Sequence, residues 1–205
     1  MFLYPGSHNK AGLKYNPFKA IVSPRPIGWV STHSNDKSLN LAPYSFFNAI
    51  CEDPAMVMFS SSPKKETLSE KDSLLNILET EEFVVNIVSY SLKDEMNISA
   101  ANYPRGVSEI EKAGLKIAES KTVSVPRIKS APAALECRLW NTIELPKQDD
   151  LSRTTMIVGT VTGMHINEQF IKDGKIDVSL YQPLARLGYT DYARITEIFS
   201  MKRPG

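Results

Sequence analysis

Metal-ligating and redox-active residues are scarce in this chain. Of its 205 residues, only two are cysteines and three are histidines. Cys51 and Cys137 form no CxxC pair and lack the spacing of zinc ligands. The histidines are too scattered along the chain to suggest a metal site: His8, His33 and His165. We therefore expect two unpaired thiols and no bound metal.

Neither sign of charge is in excess, and long apolar runs are absent. The chain carries 24 lysines and arginines against 23 aspartates and glutamates, a net charge of +1. This balance argues against binding to nucleic acid or membranes by overall charge. The longest apolar runs, such as residues 83–88, are strand-length and far shorter than a membrane span. Residues 1–20 have no signal-peptide pattern, so a cytoplasmic location is the expectation.

The sequence motifs of several common enzyme classes are also missing. Gly12, Gly28 and Gly106 are isolated, so they form no Rossmann fingerprint. The chain has no Walker loop, no HExxH helix and no GxSxG elbow. These absences argue against a dedicated dinucleotide domain, a P-loop enzyme, a zinc protease and a serine hydrolase.

Short β segments make up most of the chain, with two or three helices near its middle. Residues 27–33 and those from 39 onward are predicted to form a hairpin around a polar turn at 34–38. Asp72 or Ser73 is the expected N-cap of the first helix. The other predicted strands are 55–59 (buried on both faces), 83–89, 133–145 and 154–166, and the predicted helices are 69–79, 91–102 and 108–113.

Most successive strands are joined by turns too short for a crossover helix. A polar turn at 146–152 separates the two longest strands, and a further hairpin is predicted around 166–176. Such short connections favour antiparallel pairing over a parallel βαβ sheet. We predict one domain over residues 1–205, with its core at about 15–195. Its fold class is mainly β with peripheral helices, arranged as an antiparallel barrel.

Two segments combine apolar and polar groups in a way that suits a flat ligand. Residues 24–32 enter a strand through an elbow fixed by prolines. Residues 40–48 end a strand and place phenylalanine and tyrosine beside hydroxyl and amide side chains. A planar, amphipathic ligand needs an apolar surface for its rings and a few fixed polar groups for its rim. The two segments therefore predict a site for such a ligand.

Several short motifs follow one another in a specific order. They are PRPIGWVST at 24–32, NLAPYSFF at 40–47, DPA at 53–55, KDSLLNI at 71–77, EFVVN at 82–86 and ARLG at 185–188. Each is weak alone, but in this order they resemble the flavin reductase-like family of FMN-binding split barrels. The resemblance covers about residues 15–195 and implies an antiparallel FMN-binding split β-barrel.

The chain departs from the family pattern at three places. Residues 34–39 lack the glycine usual in the first hairpin, so we expect a longer turn or Asn35 in the left-handed region. Ser73 replaces a threonine, which keeps the hydroxyl. Tyr189 stands where a second glycine is common, and it could narrow the mouth of the flavin site or stack against the flavin.

The resemblance implies an FMN-binding flavoprotein oxidoreductase, most simply an NAD(P)H:flavin reductase that supplies a two-component monooxygenase. NAD(P)H would then bind transiently and pass a hydride to flavin N5, so no catalytic residue is assigned. Members of such families usually form homodimers with the flavin near the subunit interface. The alternatives are a flavoredoxin-like electron carrier without its own NAD(P)H activity and a non-catalytic FMN-binding module. Split barrels also include pyridoxamine phosphate oxidase relatives and haem-related proteins, which the 24–48 block disfavours.

The phosphate of FMN requires a cation, hydroxyls and unpaired backbone amides. Lys71 and Ser73 at a predicted helix start, with the preceding serines, supply these groups. A look-alike motif with Lys65 and Thr67 is a second choice. Asp72 would repel the phosphate, so it is expected to cap the helix or orient Lys71. The serines concerned are Ser60, Ser61 and Ser62.

The flavin ring is expected to lie against residues 44–48, whose backbone amides could reach its rim. That segment comprises Tyr44, Ser45, Phe46, Phe47 and Asn48. The alternative is a strand end with two core phenylalanines. Thr32 and Asn40 face each other across the predicted hairpin, where they hold ribityl or phosphate oxygens or simply pair across the strands.

Two arginines are candidates for the positive charge beside the flavin. Arg25 lies between two prolines that fix its direction, and Arg186 lies in the late ARLG motif. Either could approach the phosphate or the N1–C2=O edge of the ring, or form a structural ion pair. Trp29 is expected in the core rather than against a cofactor, and His165 in a structural or interface role.

Overall fold

The computed structural model describes residues 1–64, 67–147 and 153–204. The predicted turn at 146–152 lies largely outside these ranges, as does Lys65 of the second-choice phosphate motif. Helices within them are short: α1 (Phe18–Ile21), α2 (Asp72–Thr80), α3 (Lys93–Ile98), α4 (Glu109–Lys112) and α5 (Val178–Tyr181). None of the described helices is long and apolar enough to cross a bilayer.

One large antiparallel sheet organises the chain. Its seven strands are β2 (Gly28–His33), β3 (Leu39–Tyr44), β4 (Phe47–Glu52), β5 (Ala55–Ser61), β6 (Glu82–Ile87), β9 (Ala133–Glu144) and β10 (Thr155–Ile166). They are ordered β3-β2-β6-β9-β10-β5-β4. Within the described residues no ladder joins the end strands β3 and β4, so the sheet is not a closed barrel. The predicted mainly β, antiparallel architecture is confirmed.

Three smaller sheets flank the large one. Their strands are β1 (Arg25–Pro26), β7 (Ile117–Ala118), β8 (Arg127–Ile128), β11 (Ile171–Lys172), β12 (Lys175–Ile176), β13 (Leu184–Arg186) and β14 (Tyr192–Arg194). Strands β1, β13 and β14 form one sheet, in which Arg25 faces Arg186. Strands β11 and β12 form the hairpin predicted around 166–176. Its turn, Asp173-Gly174, has φ of 51° and 73°.

The predicted hairpin of β2 and β3 is confirmed, but its turn differs from the expectation. His33 pairs with Leu39 at the turn. Lys37, not Asn35, adopts the left-handed conformation, with φ of 67°. The Asp36 carboxylate accepts hydrogen bonds from the Ser34 hydroxyl and from the Ser38 N–H at 3.0 Å. These bonds hold the turn so that the reversal occurs at residue 37.

Buried aromatic residues hold the two faces of the sheet in place. Phe59 and Phe83 are fully buried, with ring centroids 5.7 Å apart, and α2 adds Ile77 to the same cluster. Trp29 belongs to a second cluster, and its indole N–H donates to the Ser99 hydroxyl at 2.8 Å. Trp29 is therefore a core residue, as predicted.

Two element predictions are wrong in detail. β5 is not buried on both faces, because Val57 and Phe59 enter the core while Met56 and Met58 stay partly exposed. The helix predicted over 91–102 is shorter, being a 3-10 turn at Tyr90–Leu92 followed by α3. α3 ends just before Ser99. The Ser99 hydroxyl donates to the Met96 carbonyl and accepts a hydrogen bond from the Trp29 indole N–H.

A close packing contact at Gly159 gives a stability prediction. A Cβ at this position would lie 2.3 Å from Cζ of Phe83, which has no room to move because it is fully buried. We expect Gly159→Ala to lower the free energy of unfolding by about 1–3 kcal/mol, measured by urea denaturation. Combining it with Phe83→Leu, which removes the clashing ring atoms, should cost less than the sum of the single changes. Additive losses would contradict this explanation.

Candidate functional site

A small polar cleft of about 80 Å³ opens where β3, the start of α2 and residues 99–103 meet. Hairpin pairing brings Asn40 and Tyr44 onto the face of β3 that carries this cleft. The lining residues are Asn40, Ala42, Pro43, Tyr44, Lys64, Lys71, Asp72, Ser73, residues 99–103 and Glu109. Four of the residues predicted to bind the cofactor are thus brought together: Asn40, Tyr44, Lys71 and Ser73.

Two buried hydroxyls in this region lie near other hydroxyls but make no hydrogen bond of good geometry with any described residue. They are Tyr44 Oη and Ser61 Oγ, on side chains only 4% and 1% exposed. Burial raises the pKa of Tyr44, partly offset by the adjacent Ser73 and Ser61 hydroxyls. A buried polar group without a partner costs roughly 1–3 kcal/mol. Such groups indicate a place where a bound polar ligand completes the hydrogen bonding.

Lys71 supplies an unpaired positive charge at the same place. Its ammonium lies 5.3 Å from the ring centroid of Tyr44. Burial, and then the neighbouring Lys64, lower the pKa of Lys71. Within the described residues no carboxylate forms an ion pair with it. A half-buried cation without a carboxylate partner favours an anionic ligand.

Asp72 does not cap α2, contrary to the prediction. The N-cap position is occupied by Lys71, without a side-chain cap, and Asp72 is the first helical residue. Its carboxylate binds Lys64 Nζ at 2.9 Å and Arg105 Nη1 at 3.2 Å. Because both of its oxygens are engaged, Asp72 attaches the loop containing Arg105 to the helix and leaves Lys71 unneutralised.

Thr32 and Asn40 pair across the hairpin in the predicted register. Both side chains bind α2: Asn40 Nδ2 donates to Ser73 Oγ at 2.8 Å, and Asn76 Nδ2 donates to Thr32 Oγ1 at 3.1 Å. These bonds orient the Ser73 hydroxyl and place the start of α2 beside the hairpin. Contact of Thr32 or Asn40 with ribityl oxygens stays a prediction.

The predicted ring-binding segment lies at the bend between β3 and β4. Ser45 is partly buried and Phe46 is 38% exposed. Phe47 belongs to the core, where a Cβ on Gly28 would approach its ring to 2.8 Å. Asn48 is exposed and accepts a hydrogen bond from the N–H of its own neighbour Ala49 at 2.9 Å. The side chain best placed to meet a ligand at this bend is therefore Phe46.

The three serines at the end of β5 have different environments. Ser61 is buried with its hydroxyl unpaired among the described residues. Ser60 donates its N–H to the Phe46 carbonyl at 2.9 Å, which fixes the bend. Ser62 is exposed, and its hydroxyl pairs with Thr154 at 2.8 Å. Of the second-choice phosphate motif, Thr67 is exposed and its hydroxyl pairs with Ser69 at 2.7 Å.

Arg25 binds backbone carbonyls rather than a carboxylate. It is 6% exposed, and its guanidinium donates to the carbonyls of Lys19, Val22 and Leu187, the last at 2.7 Å. The structural ion pair considered from the sequence is not formed within the described residues. Arg25 thus joins the N-terminal segment to the segment after β13. Its guanidinium carbon lies 5.9 Å from the ring centroid of Phe46.

Arg186 and Tyr189 lie beside that junction. Arg186 donates to the Tyr189 carbonyl at 2.6 Å and stacks over the Tyr192 ring at 4.3 Å. Tyr189 is 48% exposed, with φ of 56°, and its ring lies 5.5 Å from that of Tyr15. The left-handed backbone accounts for the glycine that the family pattern commonly has at this position.

Tyr189 therefore carries a testable conformational cost. Tyr189→Gly and Tyr189→Ala both remove the contact with Tyr15, but only glycine adopts a positive φ without strain. We expect the glycine variant to exceed the alanine variant by about 1 kcal/mol in free energy of unfolding. Chemical denaturation of the two variants measures this difference. Equal stabilities would contradict the assigned strain.

Sequence reasoning missed Lys64 and Glu109, which also line the cleft. Glu109 is 7% exposed, and its carboxylate accepts the Leu41 N–H at 3.0 Å. Burial raises the pKa of Glu109, although the bond from Leu41 opposes the shift. No local pattern marks these residues. Only the packing of α4 on β3 and the turn after β5 bring them to the cleft.

The cleft's donor set fits the phosphate of FMN. A dianionic phosphate would offer an acceptor to the Tyr44 hydroxyl and a counter-charge to Lys71, both of which line the cleft. Asn40 orients the Ser73 hydroxyl at the same end of the cleft. The bend at Ser45 and Phe46 lies one residue beyond Tyr44. A ligand with an anionic end and a flat apolar end therefore suits this arrangement.

Comparison with known proteins also indicates a flavin-binding protein. A family model described as a flavin reductase like domain matches residues 22–185. Nitrilotriacetate monooxygenase component B from Bacillus cereus has a TM-score of 0.88 and 32% identity, covering 98% of both chains. A 2-nitrobenzoate 2-nitroreductase from Pseudomonas fluorescens has a TM-score of 0.79 and 33% identity, covering 91% of this chain and 88% of its own. The flavoredoxin of Desulfovibrio vulgaris (Miyazaki F) shares the fold, with a TM-score of 0.75 at 19% identity, covering 88% of this chain and 91% of its own.

These similarities confirm the predicted split-barrel fold, in which the antiparallel sheet is open between β3 and β4. The family match extends over most of the chain and includes the hairpin, α2 and the cleft between them. Together with the ordered sequence motifs, this match means that the chain belongs to the flavin reductase-like family.

Proposed function

We propose that the protein is an FMN-binding NAD(P)H:flavin oxidoreductase that supplies reduced flavin to a separate monooxygenase component. The single observation that carries the FMN site is the buried Tyr44 hydroxyl, which makes no well-formed hydrogen bond among the described residues, close to the ammonium of Lys71, which forms no ion pair with them. The role as a reductase component is supported by the 32% identity to a nitrilotriacetate monooxygenase component B over nearly the full chain.

In this proposal the chain's residues bind and orient the cofactor. Lys71, Ser73, Tyr44 and Ser61 hold the phosphate, and the backbone at Ser45 and Phe46 faces the ring. FMN held by these residues would supply the redox chemistry, a hydride transfer from the nicotinamide of NAD(P)H. No protein acid or base is required for that transfer. The protein contributes a defined geometry and a positive environment for the phosphate.

The test begins with an absorbance spectrum of the purified protein, followed by titration with FMN. We expect the two flavin absorbance bands, or saturable uptake of added FMN. Steady-state oxidation of NADH and of NADPH by the FMN-loaded protein then measures the reductase activity. A colourless preparation that also fails to bind added FMN would overturn the flavin site. An FMN-loaded protein that oxidises neither dinucleotide would leave the electron carrier and the binding module as candidates.

We further propose a homodimer in which both subunits shape each flavin pocket. Large apolar side chains are exposed on β9 and β10, including Trp140 and Met164, both 62% exposed. Burying such residues against a second copy would remove apolar surface from water. Gel filtration combined with flavin stoichiometry tests this proposal. A monomer with full FMN occupancy would contradict it.

A further inference from the structure

The N-terminal segment and the turn after β13 form one continuous surface next to the Phe46 bend. Backbone contact is close, since a Cβ on Gly188 would lie 2.5 Å from Cβ of Ala20. The exposed rings of Tyr15 and Tyr189 meet at 5.5 Å. We call this area, residues 14–20 with 186–192 and Phe46, the aromatic–cationic surface.

Four cations lie on the aromatic–cationic surface or directly beneath it. Lys14 Nζ lies 5.2 Å from the Tyr15 ring, and Lys19 Nζ lies 5.7 Å from the Phe46 ring. Arg186 is stacked at 4.3 Å on Tyr192, the residue that it faces across β13 and β14. The fourth cation is Arg25, which faces Arg186 across β1 and β13.

The positive charge of this surface is not neutralised within the described residues. None of Lys14, Lys19, Arg25 and Arg186 forms an ion pair there, and Asp191 is the acid nearest to Arg186 along the chain. Nε of Arg25 is buried and has no hydrogen-bond partner in the part of the chain that the structure describes. Burial and the neighbouring Arg186 lower the pKa of Arg25, so these two arginines repel each other. An anion bound beside them would relieve that repulsion.

Aromatic rings interleaved with cations match the chemistry of a phosphorylated adenosine. Its phosphates accept hydrogen bonds from lysine and arginine, and its base stacks on tyrosine. Phe46 connects the surface to the predicted ring site, since it lies at the bend one residue beyond Ser45. A dinucleotide held on the surface could therefore reach across Phe46 to a flavin at the bend.

We propose that the aromatic–cationic surface binds the phosphates and the adenine of the nicotinamide dinucleotide, with Lys14, Lys19 and Arg186 as phosphate contacts and Tyr189 or Tyr15 as the stacking ring. This inference rests on the proposed function and assigns its cosubstrate site. It also explains how a chain without a Rossmann fingerprint can bind a dinucleotide.

The test uses Lys14→Gln/Lys19→Gln in the full-length, FMN-loaded protein, with Lys116→Gln/Lys129→Gln as a control that removes two exposed lysines elsewhere. KM for NADH or NADPH should rise at least tenfold in the first variant, with kcat and FMN affinity within twofold of wild type. The inhibition constant of ADP-ribose, a non-reacting probe, should rise in parallel. Added salt should raise the wild-type KM more than that of the variant.

The outcomes separate this inference from the proposed function. If wild type oxidises a dinucleotide and the Lys14/Lys19 variant keeps its KM, the aromatic–cationic surface is overturned while the reductase proposal stands. If wild type binds ADP-ribose, loses that binding in the variant, and yet oxidises neither dinucleotide, the surface is supported and the reductase proposal fails. If wild type neither binds ADP-ribose nor oxidises a dinucleotide, both are overturned.

Discussion

Replacing Lys71 and Ser73 together by alanine should weaken FMN binding by about 2–4 kcal/mol, because charge-assisted hydrogen bonds to the phosphate are lost. This corresponds to a dissociation constant about 30 to 1,000 times higher, measured by fluorescence titration with FMN. The loss is expected at the phosphate rather than at the ring. Binding of riboflavin, which has no phosphate, should therefore change much less than that of FMN.

The matched control for this experiment is Lys129→Ala/Ser130→Ala, which also removes one lysine and one serine. Both control residues are exposed. We expect the control protein to bind FMN as wild type does. An unchanged FMN affinity in the Lys71/Ser73 variant would move the phosphate site to Lys65 and Thr67 or elsewhere.

Replacing Glu136 by glutamine should lower the free energy of unfolding by about 3 kcal/mol near neutral pH. The Glu136 side chain has no exposed surface. Its carboxylate accepts the Lys121 N–H at 2.7 Å, the N–H and hydroxyl of Thr122, and Nε2 of His165. In glutamine, an NH₂ group replaces one of these oxygens. Its hydrogens would face the groups that now donate to the carboxylate, so the hydrogen bonds at that oxygen would be lost. His165 thus has a structural partner, in agreement with the expected role.

The effect of Glu136 should depend on pH in a defined direction. Burial would raise the pKa of Glu136, but hydrogen bonds from Thr122, His165 and the backbone outweigh it and lower the pKa to about 2. In the unfolded chain the pKa of glutamate is about 4.3. The stabilisation is therefore fully present above that pH and is lost as the pH falls toward 2.

Urea unfolding of wild type and Glu136→Gln at pH 7 and at pH 3 measures this dependence. The difference between the two proteins should be largest at pH 7 and clearly smaller at pH 3. Glu119→Gln, at an exposed position, is the control and should match wild type at both values. A difference independent of pH would mean that packing, rather than the carboxylate charge, stabilises the segment at 121–122.

The position of the cleft proposed to bind flavin was predictable from the sequence to the level of elements. The polar turn at 34–38 between two strand segments predicts the hairpin, and the pairing then places Thr32 opposite Asn40. The helix beginning at residue 72 is visible in the spacing of its leucines and isoleucine. Local patterns predict these elements, and the family resemblance adds the prediction that Lys71, Ser73 and Tyr44 belong to one site.

Side-chain partners were less predictable, and the errors have a common cause. Asp72 looked like an N-cap because local sequence favours that role, but Arg105 and Lys64 draw its carboxylate away. Arg25 could have faced a flavin or a carboxylate, whereas the carbonyl of Leu187, 162 residues later, receives its guanidinium. Residues this far apart in sequence come into contact only in the folded chain. Local sequence patterns therefore do not predict which of them will pair.

By itself, the sequence determined the strand pairing of the first hairpin, the mainly antiparallel fold and the family to which the chain belongs, because all three depend on local periodicity and ordered motifs. Only the tertiary structure decided that the buried Tyr44 hydroxyl, close to Lys71, makes no well-formed hydrogen bond with the described residues and that Glu109 reaches the same cleft. The physical reason is that burial and hydrogen-bond satisfaction belong to the packed chain as a whole. A hydroxyl becomes a ligand-binding group when the surrounding elements exclude water and supply no partner of their own.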